Sequence, residues 1–326
     1  MFMTESPTEI NAANPPTLSH VIGQREAIER LRVSIDAAFA DAKPLEHFLF
    51  AGPGGTGKTL IASKIIPAEM GVRCREVLAQ TLNADGSLPA LLLECEDGDI
   101  LFIDEAHELS TENQTLLYRA MTDRRLFIQR TNSKSTTRSL PLAAFCLIAA
   151  TTDSHELLPP FLDRFVTLSF DYYSEAELVA LMKQRAKALK WDVENAVFTS
   201  IAKLGRGTPR IGLKILNSCH QVCRSEGQTE ITLAHFRRAC DLDGLDVTFG
   251  LTKPERRLLS ILHNANGAVR LNVIASRLGL PVQSVAQVVE GYLIRSGWVD
   301  KVPEGRVLTP DGMNRLRANS SLCVGV

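Results

Sequence analysis

Eight consecutive residues, Gly52-Pro53-Gly54-Gly55-Thr56-Gly57-Lys58-Thr59, set four glycines, a lysine and a hydroxyl at the spacing G-x-x-x-x-G-K-[ST]. Without side chains in the way, a chain turning from strand into helix can aim successive backbone N–H groups at a phosphate. The helix N-terminus adds partial positive charge. In that arrangement Lys58 reaches the β- and γ-phosphates of a nucleoside triphosphate and the Thr59 hydroxyl sits on Mg²⁺. Gly54, Gly55, Thr56, Gly57 and Leu60 complete the cofactor-binding set. Further along, Asp99-Ile100-Leu101-Phe102-Ile103-Asp104-Glu105-Ala106-His107 is an apolar run that ends in two carboxylates. An acid at a strand's C-terminal end, beside the phosphate loop, holds the magnesium shell, and a second acid polarises a water toward the γ-phosphate. Asp104 is assigned to the metal and Glu105 to the water. An isolated Asp-Glu pair is ordinarily a solvated strand end; the glycine-rich loop upstream is what distinguishes this one.

These residues need elements to hold them. Residues 48–51, uniformly apolar, read as the buried strand before the loop, and 60–66 as the helix after it. Strands are also predicted over 75–78, 100–103, 144–150 and 165–170, with helices over 88–94 and 111–121 between them. Apolar strands alternating with helices imply a parallel sheet covered on both faces. After Tyr173 only helices are predicted: 174–190, opened by Ser174 as N-cap with acids in its first turn, then 194–204, 210–225 and 233–241. Beyond a linker over 243–253, three helices (254–264, 271–278 and 282–295) precede two short strands around Pro303-Glu304-Gly305. That order describes a winged helix. The expected organisation is therefore a disordered arm (1–17), a large nucleotide domain (18–173), a helical lid (174–242), a linker (243–253), a winged helix (254–318) and a tail (319–326).

Composition agrees with a multidomain globular protein: 326 residues, 45% hydrophobic and 22% charged. The net charge of −1 conceals an asymmetry, because from Leu251 onward ten Lys/Arg stand against five Asp/Glu. A basic C-terminal module suggests an anionic partner there. Seven cysteines without a regular framework argue for a reducing compartment. Cys219, Cys223, His235 and Cys240 fit common zinc spacings poorly and read as buried residues. With no secretory signal and no apolar run of membrane-spanning length, the expected location is cytoplasmic.

Several stretches together resemble RuvB, the bacterial AAA+ motor of Holliday-junction branch migration. They are Ile22-Gly23-Gln24, the phosphate loop, Ile103-Asp104-Glu105-Ala106-His107, Leu147-Ile148-Ala149-Ala150-Thr151-Thr152, Asp163-Arg164-Phe165, Gly207-Thr208-Pro209-Arg210-Ile211, Tyr292-Leu293-Ile294 and Gly305-Arg306-Val307. The resemblance implies a P-loop AAA+ parallel-sheet core with a helical lid and a C-terminal winged helix, binding ATP or ADP with Mg²⁺. It implies that Val21 and Ile22 flank the adenine, that Tyr173 lines the pocket, that Thr152 is sensor 1, and that Arg210 reaches the phosphates from the lid. Arg164 would be an arginine finger entering a neighbouring subunit's site, which makes a homo-oligomeric ring, typically a hexamer, part of the mechanism. Arg306, with Lys301 and Arg295 nearby, would contact DNA phosphates on the duplex arms of four-way junctions.

Departures from the family pattern are also visible. Asn14-Pro15-Pro16-Thr17 stands where a Leu-Arg-Pro stretch is usual, Pro53-Gly54-Gly55-Thr56 replaces Pro-Pro-Gly-Leu, and Glu304 replaces a wing arginine. Residues 127–140 fall where the family has a hairpin that docks onto RuvA, a junction-binding protein, and here the tip is polar and basic. The alternative reading is an AAA+ ATPase of the same build that acts as a clamp-loader-like or regulatory switch on a protein partner.

Overall fold

The computed structural model describes Ile10 and residues 13–128 and 138–319. The described residues form two compact units. One extends to Lys190 and includes Gly207–Arg210; the other comprises Trp191–Arg206 and the chain from Ile211 onward.

In the first unit β1 (Phe48–Ala51), β2 (Cys74–Leu78) and β3 (Ile100–Asp104) are followed by a two-stranded antiparallel hairpin, β4 (Arg125–Ile128) and β5 (Arg138–Pro141), then by β6 (Cys146–Thr151) and β7 (Val166–Ser169). The main sheet is parallel throughout, in the order β2-β3-β6-β1-β7. Phe48, Phe50 and Phe102 face one apolar cluster while Leu49, Leu101, Ile103 and Leu147 face the other. Both faces are therefore dry, which is why these strands read as continuous apolar runs rather than alternating ones. Each fully buried phenylalanine contributes roughly 1.5–3 kcal/mol of transfer free energy.

The helix after the loop is not uniform. It runs as Lys58–Leu60, a π turn over Ile61–Ile65, then Ile66–Met70. Pro67 has no N–H to return to the carbonyl four residues earlier, and the wider turn just before it takes up the mismatch. The predicted disordered arm needs correction at its inner end, where Ile10 and Ala13 are 5% and 6% exposed. Residues 1–9, 11 and 12 lie outside the described residues.

The second unit holds the helices Asn195–Leu204, Leu233–Asp243, Lys253–Ala265 and Leu271–Leu278. It also holds a two-residue parallel pair, β8 (Asp192–Val193) with β9 (Glu230–Ile231), which the sequence reading missed. The wing is β10 (Val299–Val302) paired antiparallel with β11 (Gly305–Leu308). The segment read as a linker, 243–253, is folded: Leu251 is fully buried, and backbone bonds join Asp246 to Leu251 and Gly250 to Asp246. Arg206 fixes it further, donating to both oxygens of the buried Glu255 (2.7 and 2.8 Å) and to the Gly250 carbonyl. Glu255 also closes a capping box with Thr252 at the start of Lys253–Ala265. Among the described residues no helix is long and apolar enough to cross a membrane.

His47, at the start of the loop-bearing strand, accepts the Leu147 N–H at Nδ1 (2.8 Å), so that nitrogen is unprotonated. Burial, with the Arg124 charge adding to it, holds its pKa down to about 4 from an ordinary 6.5. The folded value lies below the unfolded one, so this contribution is complete above pH 6.5 and is lost as pH falls toward 4. The melting temperature of the wild-type chain is expected to fall between pH 6.5 and 4. His47→Gln, which keeps an acceptor but does not titrate, should flatten that part of the profile; an unchanged profile contradicts the assignment.

Candidate nucleotide site

The loop between β1 and the Lys58 helix occupies the carboxyl edge of the sheet, flanked by β6 and β7. Gly52 has φ +146°, and a Cβ there would lie 2.1 Å from the Phe170 carbonyl oxygen. Gly55 (φ +78°) is equally constrained, since a Cβ would lie 2.7 Å from the Thr208 methyl and 3.0 Å from Arg210 Cβ. Gly57 adopts φ +105°. Gly54 has open space around it, so close approach by a ligand rather than internal packing is what suits a glycine there. Thr56 is fully buried and donates to the Pro53 carbonyl at 2.8 Å. Lys58 Nζ folds back onto the Gly52 and Pro53 carbonyls (2.6 and 2.8 Å). Burial lowers its pKa, opposed by the carboxylates of Glu105 and Asp104.

Thr59 Oγ1 donates to Asp104 Oδ2 at 2.9 Å, so two residues 45 positions apart converge at the end of the Lys58 segment. Asp104 Oδ1 accepts the Glu105 N–H at 3.0 Å. A hydroxyl and a carboxylate at this separation are hard oxygen donors of the kind Mg²⁺ takes, and the pair fits the ion. Glu105 itself is held at φ +51°, a left-handed conformation uncommon for a glutamate, in the turn just past β3. His107 Nδ1 lies 3.1 Å from Thr151 Oγ1 and 3.6 Å from Glu105 Oε2. Of the adjacent threonines it is therefore the buried Thr151 that touches His107, while Thr152 is exposed and donates to Asp153 Oδ2 at 3.1 Å.

Tyr173 connects three parts of the site. Its ring would be 2.6 Å from a Cβ on Gly23, its hydroxyl donates to the Thr56 carbonyl (3.3 Å), and its N–H donates to the Gly207 carbonyl (2.9 Å). Burial pushes its phenol up to about 12. Gln24 clasps the same segment through both halves of its amide, donating to the Asp171 carbonyl and accepting the Asp171 N–H. Val21 and Leu60 pack their side chains against the core cluster, and Ile22 is half-buried. The Arg210 N–H approaches the Gly55 carbonyl at 3.4 Å, with the Arg210 side chain exposed. Arg164 is exposed and donates to Thr122 Oγ1 at 2.7 Å.

The wing pairs its cations internally. Arg306 donates through Nε and Nη2 to the two oxygens of Glu290, each at 2.8 Å, and Glu290 is completely buried. Lys301 Nζ sits 3.2 Å from the same carboxylate. Burial alone would raise the Glu290 pKa, but the bonds from Arg306 and Lys301 outweigh it and hold the carboxyl below its usual range. Arg295 donates to the Arg206 carbonyl (3.0 Å) and lies near the Tyr292 ring. Arg306, read from the sequence as a phosphate contact, here pairs with an internal carboxylate. The third helical stretch, from Val282 to Arg295, carries no Lys or Arg before its last residue and exposes Val282 and Val288.

Comparison with known proteins decides the relationship. The Holliday junction DNA helicase RuvB P-loop domain matches residues 13–169, the RuvB AAA lid domain 173–247 and the RuvB C-terminal winged helix domain 248–317. The chain belongs to the RuvB family. It is a P-loop ATP hydrolase with an AAA+ core, a helical lid and a winged helix, as expected from the residues. It is similar to the Holliday junction branch migration complex subunit RuvB 2 of Synechococcus sp. (strain JA-3-3Ab), 35% identical over 315 residues, 95% of this chain and 85% of that one. The RuvB subunit of Kosmotoga olearia is 34% identical over 307 residues, 93% of this chain and 89% of its own. Among solved structures, the Thermotoga maritima RuvB Holliday junction branch migration motor aligns at TM-score 0.79 and 30% identity, covering 94% of this chain and 98% of that one.

The segment read as a hairpin is framed by β4 and β5, with Leu126 opposite Leu140 and Phe127 opposite Ser139. Phe127 and Leu140 are 44% and 38% exposed. The polar, basic tip read from the sequence lies at 129–137, outside the described residues. Cys219, Cys223 and Cys240 are buried free thiols, and no group of three metal-ligating side chains occurs among the described residues.

Because Arg306 balances a buried charge, Arg306→Ala should destabilise the winged helix by about 3 kcal/mol, the cost of leaving a buried carboxylate short of its partner. Thermal unfolding measures this. A change within about 0.5 kcal/mol, as for an ordinary surface arginine, contradicts the pairing.

Proposed function

We propose that this chain is an ATP-driven DNA motor that assembles as a ring, a hexamer by family analogy, on the duplex arms of four-way junctions and drives branch migration in recombination and repair. The observation that carries this reading is the convergence of Thr59 and Asp104 beside the glycine-rich loop, with Glu105 held in the adjoining turn. In this reading Gly54 through Leu60 cradle the phosphates, Val21, Ile22 and Tyr173 enclose the base, and Thr59 and Asp104 hold Mg²⁺. The ion, when bound, neutralises charge on the phosphates. Glu105 orients and polarises the attacking water, and Thr152 senses the γ-phosphate. Arg210 approaches the phosphates from its own chain, while the exposed Arg164 serves the neighbouring subunit's site. A RuvA-like protein is the expected junction-binding partner.

The wing favours a second reading at one point. With Arg306 and Lys301 on Glu290 and no cation on the third helix before Arg295, the wing and that helix offer few cations to phosphates. The same ATPase acting as a switch on a protein partner would suit that surface.

Glu105→Gln is expected to lower steady-state ATP hydrolysis at least about 100-fold while ATP binding persists. Hydrolysis at the wild-type rate would refute the assignment of the polarising carboxylate. Adding linear duplex or a synthetic four-way junction separates the two readings. The motor predicts stimulation, whereas indifference to every DNA favours the protein-directed switch.

A further inference from the structure

The helix Glu175–Ala188 buries Leu178, Leu181, Met182, Arg185 and Ala186. Spacings of three, four and seven define one stripe turned to the interior, and a guanidinium stands on that stripe where the period calls for an apolar residue. Arg185 is 5% exposed, and its Nε and Nη1 have no hydrogen-bond partner. Burial draws its pKa down, and the Tyr173 phenol is the neighbour that opposes this. A buried cation with unmet donors works against folding. Such groups persist where a ligand completes them.

Position indicates which ligand. The preceding residue, Gln184, donates Nε2 to the His20 carbonyl at 2.8 Å, fastening this helix to the strap that leads into Val21-Ile22-Gly23. Gly23 lies against the Tyr173 ring, whose hydroxyl reaches the Thr56 carbonyl. Arg185 thus belongs to the wall made by the strap, Tyr173 and this helix. The phosphate donors are elsewhere, in Gly52 to Thr59. An uncharged heterocycle whose ring nitrogens accept hydrogen bonds supplies what an arginine in that wall lacks.

We propose that Arg185 is a base-recognition residue of the nucleotide site, donating from its buried guanidinium to an acceptor nitrogen of the purine ring. The proposal rests on the nucleotide-binding reading above. It predicts a trade between stability and binding. Arg185→Met removes the unpaired buried cation and fills its volume with an apolar chain, so the nucleotide-free protein should melt at the same or a higher temperature. The same change should weaken ADP binding about tenfold or more, the loss expected for a hydrogen bond from a charged donor.

Calorimetric titration of the full chain with ADP, with inorganic tripolyphosphate as a base-free probe, and with 1-, 3- and 7-deaza-ADP tests this. Arg185→Gln, polar and uncharged, is the second variant should the Met chain not fold. The expected result is lost ADP affinity with tripolyphosphate binding unchanged. One deaza analogue should bind wild type as weakly as ADP binds the variant, with no further loss when analogue and variant are combined. Wild-type ADP affinity in the variants, or equal loss of ADP and tripolyphosphate together with a lowered melting temperature, overturns the proposal and leaves the nucleotide reading intact. Failure of the wild-type chain to bind ADP overturns the nucleotide reading and the proposal with it.

Discussion

A backbone that carries no side chains at Gly52, Gly55 and Gly57 is the constraint around which the first unit is arranged. Gly52 passes so close to the Phe170 carbonyl that any Cβ would collide with it, which ties the loop to the end of β7. Gly55 lies under Thr208 and Arg210 of the same unit. Tyr173 fills the remaining side, between the Gly23 backbone and the Thr56 carbonyl. Each contact depends on an absent methyl group. The strap, the sheet edge and the Thr208–Arg210 segment all approach one loop because that loop offers only backbone, and the same property lets it approach phosphate.

Charge is arranged differently in the two units. At the loop, Lys58 sits between its own backbone carbonyls and the field of Asp104 and Glu105. Its donors are held internally in a geometry from which a phosphate can draw them. In the winged helix, Glu290 fixes Arg306 and Lys301, and in the adjoining turn Glu255 fixes Arg206. Buried carboxylates thus engage cations that a count of net charge assigns to the surface. Part of the basic complement after Leu251 therefore stabilises structure.

Much of the fold was legible because its signals are local. Apolar runs at 48–51, 100–103 and 144–150 gave three of the parallel strands to within about two residues at each end, and Ser174 announced a helix that the structure caps as expected. The loop and the Asp104-Glu105 pair were readable because that chemistry requires fixed residue types at fixed spacing. What escaped depended on partners distant in sequence. Nothing near Arg306 reveals that a carboxylate sixteen residues earlier lies buried beneath it. The segment 243–253 looks like a linker until Arg206 and Leu251 are seen to pin it. Gln184 and Arg185 look like ordinary solvated positions, and only the burial of the helix face shows that one anchors the strap and the other stands unpaired inside.

The most direct test of the central claim is movement of a labelled synthetic four-way junction into duplex products by the purified chain, with ATP or without nucleotide, and with or without a RuvA-type junction-binding protein. The account predicts products that depend on ATP and increase with the junction-binding protein. ATP turnover at a rate independent of DNA, with the junction unmoved under every combination, would contradict it and leave a P-loop ATPase whose work is done on something other than a DNA junction.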